Sequence, residues 1–226
     1  MFKYETHLHT FPVSKCALYS VEENLNWYKS LGYSGVFITN HFLDGNINYD
    51  KNAPYEEIIN FYFSDYEKAK ELSEKIGIDV FLGIELSYGG TDFLVYGLDK
   101  EWFLSHPEIR SMKKRDELKF FMESGALVIQ AHPFREASYI DHIRLFPRSV
   151  HGVEVFNACR TDFENSLARQ YAKNYGLLKF AGTDNHEAGD RKCYSGLEFK
   201  NKITSEKDFV DAVLNGRGKI FVLTEN

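Results

Sequence analysis

The sequence predicts an α/β fold, a parallel sheet wound into a closed, TIM-like βα barrel. Short, near-continuously apolar runs such as GVFITNH (35–41), DVFLGIEL (79–86) and LVIQAH (127–132) alternate with helical segments from end to end. That is the pattern of strands covered on both faces. Six or seven such units fit into 226 residues, which favours a closed barrel over an open sheet. No repeat, low-complexity tract or Pro/Gly/Ser-rich linker interrupts them, so one domain over residues 1–226 is expected.

Each element has its own local signal. Residues 3–9 read as the first strand. Ser20-Val-Glu-Glu23 is a capping box, in which serine and glutamate satisfy each other's orphan N–H groups. It opens a helix that Gly32 closes. Residues 35–41 form the second strand, and a long helix over 55–76 ends at Gly77. Strands over 79–86 and 93–98 are divided by the turn signal Gly89-Gly90. A charged helix over 108–124 precedes strands at 127–132 and 152–157. A helix over 163–175, closed by Gly176, leads to a strand at 178–183. The tail adds a strand near 196–199, a helix from Ser205 and a last strand over 219–224.

Composition excludes several function classes. A chain that is 43% hydrophobic and 15% aromatic buries a sizeable core and is not disordered. With 27 basic against 33 acidic residues the net charge is −6, which argues against a nucleic-acid partner. The one basic cluster, Lys113-Lys114-Arg115, reads as a solvated helix face. No apolar run approaches the roughly 18 residues of a membrane span. The start, MFKYETHLHT, lacks the apolar core of an export signal. Cys16, Cys159 and Cys193 are odd in number and form no close pair, so a reduced, cytoplasmic setting is expected.

The polar residues that carry chemistry fall at strand ends. His7 and His9 end the first strand, Asn40-His41 the second and Glu85 the third. His132 ends the strand at 127, Asn157 the one at 152, and Asp184 and His186 follow the one at 178. In a βα barrel these ends converge on one rim, where chemistry is done. Five of the eight histidines belong to this set; His106, His142 and His151 read as structural or surface residues. The i, i+2 spacing of His7 and His9 puts both imidazoles on one face of a strand. Mixed histidine and carboxylate ligands suit zinc, manganese or iron better than calcium or magnesium. There are more of them than one tetrahedral ion needs, so a multinuclear centre with Glu85 as a bridge is expected. Such centres hydrolyse phosphate esters by attack of a metal-bridging hydroxide.

At these residues the chain resembles the PHP (polymerase and histidinol phosphatase) family. His7-Leu-His9-Thr10, Asn40-His41, Ala131-His132-Pro133 and Gly182-Thr-Asp184-Asn-His186 match its four motifs, over essentially the whole chain. The resemblance implies a distorted seven-stranded barrel with two or three divalent ions at the C-terminal rim. It places His7, His9, Glu85 and Asp184 on a first metal, and Glu85, His132 and Asp92 on a second. His41 and His186 would hold a third. The catalytic set it implies is His7, His9, Glu85, His132, Asp184 and His186. The third metal's remaining ligand in the family is a His or Asp shortly after the first motif. This chain has neither over 11–16, so that site is empty, weak, or completed by water or Cys16. A thiolate there would favour zinc; the alternative is a small buried free cysteine. Arg135 and Arg160, just beyond rim residues, are candidates for phosphate capture.

The expected function is metal-dependent hydrolysis of small phosphomonoesters. Two rivals stand beside it, a single-strand nuclease or nucleotide phosphodiesterase and a metal-binding regulatory module without activity.

Overall fold

A computed structural model of the chain describes residues 1–187 and 193–224. Nine strands form one sheet: β1 (Phe2–Leu8), β2 (Gly35–Ile38), β3 (Asp79–Tyr88), β4 (Thr91–Tyr96), β5 (Leu127–Ala131), β6 (Gly152–Asn157), β7 (Leu178–Gly182), β8 (Cys193–Phe199) and β9 (Lys219–Thr224). The spatial order is β7-β6-β5-β4-β3-β2-β1-β8-β9. Six α-helices accompany it: α1 (Val21–Ser30), α2 (Tyr55–Ile76), α3 (Lys100–Ser105), α4 (Lys114–Glu123), α5 (Asp162–Tyr175) and α6 (Glu206–Leu214). The sheet curls until β1 and β7 meet, forming a nearly closed, distorted barrel. They meet at the top, where Asp184 N–H donates to His7 O at 2.9 Å and His9 N–H to Asn185 O at 3.0 Å. Lower down, Phe2 to Tyr4 pair instead with β8.

Helix ends follow their local signals. The boxes Ser20/Glu23 and Thr161/Glu164 cap α1 and α5, and Gly77 and Gly176 end α2 and α5 in the left-handed conformation. Three expectations need correction. The sheet is not parallel throughout, because β4 and β8 run against their neighbours. Gly89 and Gly90, at φ +56° and +86°, make a two-residue turn between Tyr88 and Thr91. Two consecutive positive-φ residues give a hairpin, whereas a parallel return needs a crossover of a dozen or more residues. The charged helix over 108–124 is also broken. Pro107–Ser111 is a 3₁₀ turn, Met112 and Lys113 are extended, and α4 begins at Lys114. Nor is the basic run wholly solvated: Lys114 is buried and pairs with Glu117 at 2.6 Å and Asp44 at 3.5 Å. Removing its charge from water is tolerated because the partners are in place.

Tyr4, Phe37, Tyr96 and Phe180 belong to the same buried core as Phe209 of α6. A second core lies between β1–β3 and helices α1 and α2, and a third under α2, α3 and α4. Among the described residues no helix is long and apolar enough to cross a membrane.

The β1–β2 ladder shifts register between Glu5 and Leu8. Such a bulge leaves backbone donors unpaired, and each needs an acceptor when buried. Glu5 Oε1 takes them, accepting from the N–H groups of Thr6, His7 and Thr183 at 2.8–2.9 Å. Burial pushes the Glu5 carboxyl up to about 7.

His151 is structural, as expected: its Nδ1 accepts from Val128 N–H at 3.1 Å, tying the entry of β6 to β5. Burial holds its pKa below the ordinary value. Above the unfolded pKa of about 6.5 both states are neutral. As pH falls through the window below that value, the unfolded chain takes the proton first and folding stability drops. The melting temperature should therefore fall more steeply on acidification in the wild type than in His151→Gln. Equal slopes in thermal melts would remove His151 from the acid response.

Candidate metal centre

All eight expected ligands come together at the top of the barrel. β1 supplies His7, and His9 follows directly. His41 follows β2, Glu85 lies on β3, His132 follows β5, and Asp184 and His186 follow β7. Asp92 joins them only because β4 is reversed, which brings its first turnward residues to this rim, with Asp92 opposite Ser87 and Ala131. His7, His9, Glu85, Asp92, His132 and Asp184 are buried; His41 and His186 are partly open to a cavity of about 440 Å³.

Glu85 is the hub. Its Oε1 lies 3.1 Å from His7 Nε2 and 3.4 Å from His132 Nε2, and its Oε2 2.7 Å from His41 Nδ1 and 3.5 Å from His9 Nε2. Asp184 Oδ1 is 3.5 Å from His7 Nε2 and 3.4 Å from His9 Nε2, while Oδ2 is 3.7 Å from His132 Nε2. Three groups have ligand atoms within 4.8 Å of one another: His7/His9/Asp184, His7/Glu85/His132 and His9/His41/His186. Asp92 is at the margin, 3.9 Å from His132 Nε2 and paired with Arg135 Nη2 at 3.2 Å.

Hydrogen bonding behind the rings shows whether these residues suit a cation. His7 Nδ1 lies 3.0 Å from Glu154 Oε1, and a carboxylate only accepts, so Nδ1 carries the proton. His186 Nδ1 faces the Asp184 carbonyl at 3.0 Å and is likewise the donor. His9 Nδ1 is 3.1 Å from Ser14 Oγ, whose own proton goes to Asn40 Oδ1 at 2.8 Å, so His9 donates too. When these rings are neutral, Nε2 is left bare toward the centre in all three, the tautomer a metal requires. Glu85 Oε2 and His41 Nδ1 approach to 2.7 Å, yet neither has a hydrogen-bond partner among the described residues. Two buried polar atoms left without a hydrogen bond are compensated when cations are bound beside them. The donor set fits a divalent ion.

The charges are strongly coupled. Burial opposes charging His7, but Asp184, Glu154 and Glu85 outweigh it and hold its pKa well above normal. Burial, with His186 and His41 adding repulsion, holds His9 well below normal. His41 is pushed up to about 10, its own burial outweighed by Glu85. Glu85 and Asp184 sit well below the carboxylate range because surrounding histidines overcome their burial. His132 and Asp184 hold φ of 21° and 60°, a conformation non-glycine residues adopt at a cost and one that clusters at functional sites.

Three carboxylates behind the ligands escaped sequence reading. Glu154 of β6 holds His7 with Oε1, while its Oε2 accepts from His132 N–H at 3.0 Å and Asn157 Nδ2 at 2.9 Å. Asp65 of α2 accepts from Thr10 Oγ1 at 2.7 Å and Asn40 Nδ2 at 3.3 Å, holding together the first two motifs. Glu5 is the third. The available signal was a lone carboxylate inside an apolar run, as in GVEVFN, because a buried charge needs partners. Gly182 belongs to the same arrangement: a Cβ there would lie 2.5 Å from His7 Cβ and 2.8 Å from Glu154 Oε1. Glu154→Gln should lower metal affinity about 10–100-fold, because its amide NH2 would meet the His132 and Asn157 donors. Chelator competition measures this, and unchanged affinity would dismiss the role.

Arg135 reaches the cavity beside Asp92, its Nε buried without a partner. Arg160 does not line that cavity; it lies near Glu164 and helps hold that carboxyl low.

Residues 162–217 match the model of the PHP-associated family. No curated protein matches the chain. Similar solved structures include a two-domain protein from Bacteroides vulgatus containing a predicted PHP-like metal-dependent phosphoesterase. It has a TM-score of 0.72 and 16% identity, over 97% of this chain and 64% of that one. An amidohydrolase from Chromobacterium violaceum, with sulfate bound and no metal, has a TM-score of 0.56 and 13% identity over 84% and 89% of the two chains. A lesion-specific endonuclease from Pyrococcus furiosus has a TM-score of 0.59 and 11% identity over 97% and 57%. The chain thus spans less than two thirds of the first and third of these. The shared feature is the fold. The chain thus has the barrel of these structures, and its residues 162–217 are similar to the PHP-associated family.

Proposed function

We propose that the protein is a metal-dependent phosphoesterase acting on small phosphomonoesters, with residues 1–226 working as one domain. The observation that carries this is the rim cluster, in which four imidazoles converge on the buried Glu85 carboxylate, with His41 Nδ1 and Glu85 Oε2 lacking a hydrogen-bond partner among the described residues. His7, His9, Glu85 and Asp184 would hold one divalent ion, Glu85 and His132 with Asp92 a second, and His41 and His186 a third. Such ions supply an activated water and neutralise charge on phosphoryl oxygens. Zinc, manganese and iron all suit these donors.

The chain's own residues do the positioning. Glu154 fixes the rotamer and tautomer of His7 and anchors the backbone of His132, so two ligands on different strands share one support. Asn157 joins Glu154 to Asp184 at 2.9 and 3.3 Å. Arg135 is fixed by Asp92 through Nη2, leaving its unpartnered Nε to donate to a phosphoryl oxygen. One such fork suits a small substrate. A chain of net charge −6 cannot release the many counterions that make polynucleotide binding strong and salt-sensitive.

The test is kcat/KM for a panel of phosphomonoesters and for a short oligonucleotide, each at two salt concentrations. A monoester preference with a mild salt effect is expected. Arg135→Ala should cost about 1.5–3 kcal/mol in kcat/KM, the worth of a charged hydrogen bond, with metal content unchanged. Arg160→Ala should cost less. An oligonucleotide preference with a steep salt slope would replace this reading with a nuclease.

A further inference from the structure

The mouth of the centre holds a donor that the ligand sets above do not use. The loop between β1 and α1 is tied down on both sides. Ser14 N–H donates to Thr10 O at 3.0 Å, Lys15 N–H to Asn46 O at 2.9 Å, and Leu18 N–H to His186 O at 2.9 Å. Held there, the partly buried Cys16 lines the same cavity as His41 and His186. The cysteine is not alone. His9, His41 and His186 have ring nitrogens within 4.8 Å of one another, and Glu85 Oε2, 1% exposed and unpartnered, is 2.7 Å from His41 Nδ1. His9 Nε2 is committed elsewhere, 3.2 Å from His7 Nε2 and 3.4 Å from Asp184 Oδ1. This leaves His41, His186 and Cys16 lining one mouth, with Glu85 Oε2 beside His41.

We propose that Cys16 is a thiolate ligand of the ion held by His41 and His186, making that position a sulfur–nitrogen site beside two nitrogen–oxygen sites. The proposal rests on the metal-centre reading above. On binding, the Cys16 S–H bond breaks, its proton goes to solvent, and the sulfur lone pair forms the bond to the metal. A soft thiolate selects zinc or cobalt over manganese or magnesium, whereas the carboxylate-rich positions accept manganese. The centre is therefore chemically unequal, with one position closed to hard ions.

Cobalt(II) reports this directly. Apoprotein loaded with cobalt should show a sulfur-to-cobalt charge-transfer band in the near ultraviolet. Cys16→Ser should lose the band and one ion per chain, while Cys159→Ala and Cys193→Ala keep both. Cys16→Asp should recover the ion without the band and bind manganese in its place. A second measurement needs no substitution: zinc should abolish alkylation of Cys16, mapped by mass spectrometry, and a chelator should restore it. Cobalt bound without a band, a band that survives Cys16→Ser, or alkylation indifferent to zinc overturns the proposal and leaves the other two positions intact. A chain that takes up no cobalt at all overturns both this and the phosphoesterase reading.

Discussion

Glu85→Ala should strip two ions from the centre together and lower kcat/KM for a monoester by about a thousandfold or more. Glu85 approaches four imidazoles, with Oε1 near His7 and His132 and Oε2 near His41 and His9. Those rings belong to different positions; Asp184 also faces four, His7, His9, His132 and His186, but only at 3.4–3.7 Å. Metal ions supply several kcal/mol of transition-state stabilisation, and about 4 kcal/mol corresponds to roughly a thousandfold in rate. His41→Ala should remove only the ion at the mouth. Activity cannot separate these cases, because ligands that act as a unit give non-additive losses. Elemental analysis can: full metal content in Glu85→Ala would refute the bridge. A circular dichroism spectrum like that of the wild type would show that the loss is local.

The largest expected effect on stability is at the other end of the barrel. Phe209→Ala should destabilise the protein by about 3–5 kcal/mol, the usual cost of emptying a buried phenylalanine site. Phe209 is fully buried, with its ring centroid 4.1 Å from Phe37, 5.2 Å from Tyr96, 5.9 Å from Phe199 and 6.2 Å from Phe180. These partners come from four strands, which cannot all move inward to fill the space while keeping their ladders. At about 2–4 °C per kcal/mol for a chain of this size, the melting temperature should fall by roughly 6–20 °C. Urea titration measures the free energy, and a change below about 1 kcal/mol would mean that the site collapses freely. Metal content of the folded variant should match the wild type, since α6 is remote from the rim ligands.

Sequence by itself determined every element whose cause is local. The capping box at Ser20, the helix over 55–76 and its end at Gly77 depend on neighbours within four residues, and all appear as read. It also marked the histidines and carboxylates that gather at the rim, because the ends of apolar strands converge there in a closed barrel. Tertiary structure alone decided three things. The direction of β4 brings Asp92 to the rim, and a turn signal at Gly89-Gly90 carries that result only once the strands pair. The supports of the ligands are equally non-local: Glu154 lies 147 residues from the His7 it orients, and Asp65 55 residues from Thr10. Last, the loop after β1 sets where the thiol of Cys16 points, and its anchors, Asn46 and His186, come from distant segments. Propensity and periodicity act over one turn or one pleat, whereas a buried charge finds its partner wherever the closed barrel places one.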